Sequence, residues 1–354
     1  MSGLLTPFHE VRVMEWDGEK GRIEAVRRNR FDDWYYGCHF LGDPVMPGCW
    51  GVDAVWQVLR HFAAAQGLKG CDKPMGMEGV SFFGQIRPYD KEILYAVDVL
   101  SIDRDGPEAM VTGKAAVSVD GVPVYSIASA QVGTAFWESD GARGPDVPAG
   151  EAEPFTRPLS RAEFGRRKAL SHTEIVALSR GTLVEEDGAE MGLLPDSLML
   201  EVHEVHRLAL DPLTGEGEVL ASRGNGPEEW FYPMNGGVKP TALLVDGVWQ
   251  VLGLVLAWSG NPGTGRALGF EKVEVFDDVR PEDARLVYKF RVLKTYKAPL
   301  TGDAFVRADA EVFADGRKVL ACANANVGCH KGIRYSDYPL KSEMATGGKL
   351  KVRG

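Results

Sequence analysis

The sequence contains two copies of one pattern, and this duplication limits the chain to folds built from two similar units. The first copy reads Asp53-Ala-Val-Trp-Gln-Val-Leu and the second reads Asp246-Gly-Val-Trp-Gln-Val-Leu. The copies then align without a gap, from 53–90 in the first to 246–283 in the second. Each unit has ordinary domain size, and two copies are too few for a solenoid, which needs about three stacked repeats. We therefore expect two tandem domains.

The copies differ just upstream of this shared stretch, where only the first carries a histidine. Residues 38–50 read CHFLGDPVMPGCW, whereas 235–240 read NGGVKP. When the copies are aligned from the tryptophan that precedes each segment, Asn235 stands at the position of His39, and three residues are missing between Asn235 and Pro240 relative to His39–Pro47. Asparagine cannot accept a proton at neutral pH. The asymmetry predicts that the two copies have different roles in catalysis.

Composition narrows the class of protein. Of 354 residues, 44% are hydrophobic and 25% are charged, as in soluble globular proteins. The formal net charge is -10 and no Lys/Arg-rich run occurs, which argues against a nucleic-acid partner. The most apolar run, 242–258, is interrupted by Asp246 and Gln250, which favours a buried helix over a membrane span.

Cysteine usage and the N-terminus indicate the compartment. The five cysteines are odd in number and form no CxxC pair, which argues against structural disulfides and a zinc site. The first residues lack a basic region followed by an apolar core, so the pattern predicts no secretory signal. We expect a cytoplasmic protein.

Within each unit the hydrophobic pattern predicts an α+β fold, with one buried helix followed by an antiparallel meander that wraps around it. The helices are expected over about 48–66 and 241–259. The Asp-Gly pairs at 120 and 315 stand where hairpin turns belong. The predicted strands are 22–26, 91–99, 110–119 and 124–132 in the first copy, and 217–221, 286–293, 304–313 and 318–327 in the second.

These elements predict four regions. The first unit, which bears the histidine, spans 1–137. A Gly- and Pro-rich linker with a short helix at about 160–179 follows over 138–192. The second unit, which bears Asp246, spans 193–335, and a polar tail spans 336–354.

Residues 38–57 closely resemble the active-site signature of the β-hydroxydecanoyl-acyl-carrier-protein dehydratases of bacterial fatty-acid synthesis. These are hot-dog proteins, in which a long helix lies in a curved antiparallel sheet. The second copy matches only through the helix pattern that contains Asp246 and Gln250, and through the following strands. The tandem arrangement resembles the paired dehydratase domains of polyunsaturated fatty-acid synthases and, more loosely, the double hot-dog dehydratases of polyketide synthases. The resemblance implies a double hot-dog.

In single-unit members of that family, a histidine of one subunit faces an acidic residue of the other. Carried onto this chain, the resemblance implies a catalytic pair of His39 and Asp246. The opposite pair, Asp53 and Asn235, is then a degenerate second site. The resemblance also implies that the Gly48 N–H donates to the thioester oxyanion and that the Val45 carbonyl holds the imidazole. Cys49 and Trp50 follow Gly48 in the signature, and we expect both to contact the substrate.

The chemistry of dehydration explains these residue types. Removing water from a 3-hydroxyacyl thioester needs a base near neutral pKa for the C2 proton, and histidine suits that role. The leaving hydroxyl group needs a proton, which a carboxylic acid kept neutral can supply. Asp246 lies in an apolar helix that should raise its pKa, and Gln250 lies one turn on and can orient it. The helix that starts near Gly48 offers free N–H groups to an oxyanion.

The sequence therefore predicts a 3-hydroxyacyl-[acyl-carrier-protein] dehydratase, a lyase of fatty-acid, polyunsaturated fatty-acid or polyketide-like synthesis. One alternative is a dehydratase that also isomerises the trans-2 to the cis-3 enoyl product. Another is a non-catalytic acyl-carrier binding subunit, and a hot-dog thioesterase is weaker still. The expected partner is an acyl carrier protein, with no membrane or nucleic acid and no metal or redox cofactor. A homodimer or association with further synthase subunits is compatible with the sequence.

Overall fold

The computed structural model of the chain describes residues 8, 10–16, 21–104, 108–148, 152–185 and 191–331. The predicted polar tail, 336–354, lies outside these residues. The helices of the described part are α1 (Gly48–Ala65), α2 (Arg161–Phe164), α3 (His172–Ser179) and α4 (Thr241–Trp258). Its strands are β1 (Glu10–Trp16), β2 (Gly21–Arg28), β3 (Lys73–Phe82), β4 (Glu92–Asp103), β5 (Met110–Val119), β6 (Val122–Gly133), β7 (Glu204–Leu210), β8 (Gly217–Gly224), β9 (Thr264–Val275), β10 (Arg285–Lys297), β11 (Ala304–Ala314) and β12 (Arg317–His330).

The described strands form one antiparallel sheet of 12 strands whose order is mirrored about its centre. The first half runs β1-β2-β4-β5-β6-β3, and the second half returns as β9-β12-β11-β10-β8-β7. The hairpins β5–β6 and β11–β12 turn at the predicted Asp-Gly pairs, where Asp120 and Asp315 both have positive φ. Each sequence copy therefore builds one half-sheet, and the halves are related by an approximate two-fold axis.

The central helices α1 and α4 are buried because their sequences are apolar on nearly every face. Each begins directly after a proline, Pro47 or Pro240, whose fixed φ suits a helix start. Helix α4 has the length and hydropathy to cross a membrane, yet 89% of it is buried within the protein. Its composition is therefore that of a core helix.

The two units join along β3 and β9, which were not among the predicted strands. The strands approach closely at two glycines that occupy the same place in each copy. A Cβ on Gly76 would lie 2.5 Å from the Val273 carbonyl oxygen, and one on Gly269 would lie 1.9 Å from that of Val80. Only glycine permits this approach, so the continuous sheet depends on both residues.

The segment between the units differs from the single short helix expected at about 160–179. It contains two short helices, α2 and α3, separated by a turn. Each starts at a capping box, in which a serine and the glutamate three residues on bond each other's backbone: Ser160 with Glu163, and Ser171 with Glu174. The two caps divide the predicted helix. Further along this connection, residues 193–195 line a cavity.

Candidate active site

His39 lies in the turn that leads into α1, and its ring is fixed by the backbone. Its Nδ1 lies 3.0 Å from the carbonyl oxygen of Val45. A carbonyl oxygen only accepts hydrogen bonds, so Nδ1 must carry the proton and Nε2 is left with a free lone pair. Burial lowers the pKa of His39 to about 4, and the positive charge of Arg266 acts in the same direction. The imidazole is therefore neutral at physiological pH and its Nε2 lone pair is available, but its pKa lies below the near-neutral value expected from the sequence.

Asp246 lies in the second turn of α4 and is oriented by Gln250, one turn further along. Gln250 Nε2 donates to Asp246 Oδ2 at 2.6 Å and to the Met199 carbonyl oxygen at 2.6 Å. The Glu201 backbone N–H donates to Gln250 Oε1 at 2.8 Å. Because the connecting segment binds both ends of this amide, its orientation is set and its donor faces the carboxyl group.

The pKa of Asp246 is raised to about 7, chiefly by burial. The nearby negative charge of Glu201 raises it further, while hydrogen bonds from Gln250 and Cys49 and the charge of Lys239 lower it. Lys239 is itself buried and its Nζ pairs with Glu201 Oε2 at 2.8 Å. A carboxyl group with this pKa is partly protonated at neutral pH, so it can donate a proton.

His39 and Asp246 line one cavity of about 860 Å³, a volume that includes its open mouth. The two residues belong to different units, so the cavity lies across the interface between the units. Its walls are mainly apolar. They include Met46, Pro47, Phe82, Ile86, Leu193, Leu194, Pro195 and Trp249. A site of this kind suits an apolar ligand with one polar centre.

Gly48 is the first residue of α1 and also lines the cavity. The helix cap, Pro47, provides no side-chain hydrogen bond to the first turn. The N-terminal N–H groups and the helix dipole can therefore stabilise negative charge on a ligand. A Cβ at position 48 would lie 3.2 Å from the Phe82 ring, so the space beside the backbone is narrow.

Cys49 and Trp50 are placed differently from the expected substrate contacts. Neither is among the residues that line the cavity. The Cys49 thiol instead bonds the Asp246 carboxyl group across the helix interface. Trp50 is fully buried, with its ring edge-on to Trp34 at 6.0 Å between centroids. Its large ring packs in the hydrophobic core.

Asp53 and Asn235, hereafter the counterpart site, occupy the positions that the two-fold axis relates to Asp246 and His39. Asn235 Nδ2 donates to the Val238 carbonyl oxygen at 3.1 Å, as the His39 ring does to Val45. Asp53 accepts a hydrogen bond from Gln57, and burial raises its pKa. The counterpart site thus keeps the scaffold of the first but has an amide, Asn235, where the first has the imidazole.

The counterpart site also carries larger side chains at positions that are glycine around the cavity. Gly48, Gly51 and Gly253 line the cavity. Their equivalents in the other helix, counted from the shared Asp, are Thr241, Leu244 and Arg60. The Arg60 charge lies close enough to lower the pKa of Asp53, against the effect of burial. A guanidinium group therefore lies near the Asp53 carboxyl group. At the equivalent position beside Asp246, Gly253 leaves open space.

Several residues of the site were missed by sequence reasoning. They are Gln85 and Arg266 at the cavity wall, the segment 193–195, Met199 and Glu201 behind Gln250, and Lys239. The one usable signal is Arg266, because the gapless alignment puts the cation Lys73 at the same place in the first copy. Residues 193–195, Met199 and Glu201 are brought in by the long connection between the units, whose path no local pattern reveals.

Comparison with known proteins agrees with this architecture. The chain matches the FabA-like domain family over residues 4–128 and 194–323. The dehydratase domain of a mycocerosic acid synthase-like polyketide synthase is 13% identical, covers 93% of this chain and 97% of its own, and has a TM-score of 0.54. An isomerase-inactive variant of GphF DH1 is 14% identical, with coverages of 93% and 98% and a TM-score of 0.53. A bifunctional dehydratase-cyclase domain in ambruticin biosynthesis is 14% identical, with coverages of 92% and 95% and a TM-score of 0.50.

At these identities the structural likeness shows the fold alone. It does so over nearly the whole length of both chains. The predicted double hot-dog class is therefore confirmed.

Proposed function

The chain belongs to the FabA-like family, and from this membership and the geometry of its cavity we propose that it dehydrates a 3-hydroxyacyl thioester carried by an acyl carrier protein. The observation that carries the proposal is the pairing of His39 and Asp246 in one cavity across the unit interface. A neutral base and a carboxyl group with a pKa of about 7 supply the two proton transfers of the reaction.

The first transfer uses the free Nε2 of His39. It takes the proton from C2 of the acyl chain, and the electron pair of the broken C2–H bond delocalises into the thioester carbonyl before it forms the C2=C3 double bond. Negative charge grows on the thioester oxygen as this proton leaves. The Gly48 N–H at the start of α1 can donate a hydrogen bond to that oxygen and so stabilise the charge.

The second transfer uses the protonated carboxyl group of Asp246. Its proton goes to the C3 hydroxyl group, the C3–O bond breaks, and water leaves as the trans-2-enoyl thioester forms. His39 is left protonated and Asp246 ionised, so one proton must pass between them or through solvent before the next turnover. Gln250 holds the carboxyl group in position throughout.

The counterpart site lacks a proton acceptor at position 235, so we propose one active site per chain. Asp53 is then a structural residue, held by Gln57. Asp53→Asn replaces its carboxyl group with an amide of similar shape and serves as the matched control for Asp246→Asn.

The test is conversion of a 3-hydroxyacyl carrier protein followed by mass spectrometry. We expect His39→Ala and Asp246→Asn to lower the rate by about 10²- to 10⁴-fold, the usual contribution of general acid–base groups, while Asp53→Asn stays near the wild type. Equal loss in Asp53→Asn, with the fold intact, would contradict the assignment.

The products of the same assay separate the alternative functions. A trans-2-enoyl product indicates dehydration alone, and a cis-3 product indicates that isomerisation follows. If the wild type converts no 3-hydroxyacyl carrier protein, the dehydratase proposal fails and a non-catalytic acyl-carrier binding role takes its place.

A further inference from the structure

Arg266 of β9 reaches from the second unit to the first at the wall of the cavity. Its Nη1 lies 2.7 Å from Asp43 Oδ2 and its Nη2 donates to Asp43 Oδ1 at 3.0 Å. Its Nε donates to Gln85 Oε1 at 2.8 Å. The Arg266 and Asp43 side chains are only 12% and 22% exposed. This mostly buried pair combines one hydrogen bond with a second close contact between charges, and it is screened less by solvent than an exposed salt bridge.

Asp43 belongs to the same short turn as His39, and backbone hydrogen bonds close that turn. Phe40 N donates to the Asp43 carbonyl oxygen at 3.2 Å, and Asp43 N donates to that of Phe40 at 3.1 Å. Val45 N donates to the His39 carbonyl oxygen at 2.9 Å. Because these hydrogen bonds brace the turn, a displacement of Asp43 would also displace His39. Arg266 therefore acts on the position of His39.

The counterpart site has half of this arrangement. Lys73 stands at the position equivalent to Arg266, and its Nζ lies 3.3 Å from Asp278, the equivalent of Gln85. Only Gly236 and Gly237 separate Asn235 from the following valine, so this shorter turn has no side chain with which a cation could pair. A cross-unit cation is thus present on both sides of the axis, but it is tied to the turn only where the turn bears a histidine.

We propose that Arg266 is a positioning residue that, through Asp43 and Gln85, locks the His39 turn onto the unit that carries Asp246. The inference rests on the proposed function, since its purpose is to hold base and acid at a fixed separation. A shift of about 1 Å in a reacting group can cost about a hundredfold in rate. A lock across the interface is needed here because the base and the acid lie on different units.

The test compares Arg266→Met with Lys73→Met, which removes the equivalent cation from the counterpart site. We expect Arg266→Met to lower kcat about a hundredfold with little change in KM, because the substrate pocket remains while the base is misplaced. Arg266→Lys keeps the charge with a single contact and should recover part of the loss. Asp43→Asn should match Arg266→Met, and the double variant should be no worse, since both remove one interaction.

A second readout does not require turnover. The His39 imidazole signal in an NMR pH titration, assigned by its loss in His39→Ala, should move toward the ordinary histidine pKa in Arg266→Met and stay unchanged in Lys73→Met, because Arg266 helps to lower that pKa. Other titratable or charged groups close to the turn are the same in Arg266→Met and Lys73→Met. They are Asp43, Cys38, Asp196 and Asp246.

The outcomes are distinguishable. If the wild type has no activity, the proposed dehydratase function fails, and the NMR comparison still decides whether Arg266 acts on the His39 imidazole. If Arg266→Met keeps the wild-type kcat and the wild-type imidazole titration, the positioning role is wrong and the pair is only a local salt bridge.

Discussion

The two cross-unit sites share a scaffold and differ in what faces the carboxyl group. In each, an aspartate in the central helix accepts a hydrogen bond from a glutamine one turn on. In each, the residue at the turn bonds the carbonyl oxygen of a valine. The site of His39 and Asp246 adds an imidazole and a cavity lined in part by glycines, whereas the counterpart site adds an amide and the Arg60 side chain.

This comparison shows that a raised carboxyl pKa does not by itself identify the active site. Burial in the core helix raises the pKa of Asp53 as well as that of Asp246. The shift is a consequence of where the helix lies, and both copies inherit it. What separates the sites is the base opposite the acid and the space left for a ligand, so the predictions below alter those features.

The largest effect is expected from Gly253→Arg, which copies Arg60 onto the cavity. The long side chain should fill ligand space and place a positive charge near Asp246, which would ionise the acid. We expect dehydration to fall by about a hundredfold or more, as when a substrate is displaced from its reactive position. The measurement is kcat/KM with the 3-hydroxyacyl carrier protein.

Gly253→Ala is the control for this variant. Nothing lies within 4 Å of the position that its methyl group would take, so alanine should be tolerated. If Gly253→Arg works as well as Gly253→Ala, the ligand does not pass this side of α4, and the glycine difference between the sites has no functional meaning.

The next effect is a pH dependence that only the active site should show. His39 must be neutral, which holds above its pKa of about 4, and Asp246 must be protonated, which fails above its pKa of about 7. The profile of kcat/KM should therefore have a plateau between these values and fall by about tenfold per pH unit above the upper one. Asp53→Asn should leave both limbs in place, while activity that stays constant up to pH 9 would exclude Asp246 as the acid.

Local sequence patterns were enough to predict most of the fold. The buried helices were expected over 48–66 and 241–259 and occur at Gly48–Ala65 and Thr241–Trp258. The strands β3 and β9 were not predicted, because their glycines interrupt the alternating pattern. Those same glycines allow the close approach that joins the units. The feature that hid the strands is therefore the one that makes the interface.

For the site, the resemblance supplied the residues and the structure supplied their surroundings. His39, Gly48, Asp246 and Gln250 line one cavity, as their assigned roles require, although those roles remain proposals. The hydrogen bonds that orient Gln250, and the contacts of Arg266 with the His39 turn, join residues that are far apart in sequence. Such contacts depend on the path of the connecting chain and on strand register, which hydrophobic periodicity does not encode.

The smallest expected effect concerns Cys49, whose equivalent in the second unit is Ala242. The thiol lies in the core and its own pKa is raised well above the ordinary value, so it stays protonated and can donate to Asp246. This hydrogen bond lowers the pKa of Asp246. Its loss in Cys49→Ala should move the alkaline limb of the kcat/KM profile upward by less than about one pH unit, since a neutral hydrogen bond contributes about 1 kcal/mol.

The direction of that shift is the informative result. A higher Asp246 pKa keeps the acid protonated longer, so Cys49→Ala should lose less activity than the wild type between pH 7 and pH 8, and the two should agree more closely near pH 6. The reciprocal variant Ala242→Cys places a thiol beside the counterpart site and should leave the profile unchanged, because Asp53 takes no part in the reaction. An alkaline limb that moves downward in Cys49→Ala would mean that the thiol stabilises the protonated carboxyl group, which reverses its role relative to Gln250.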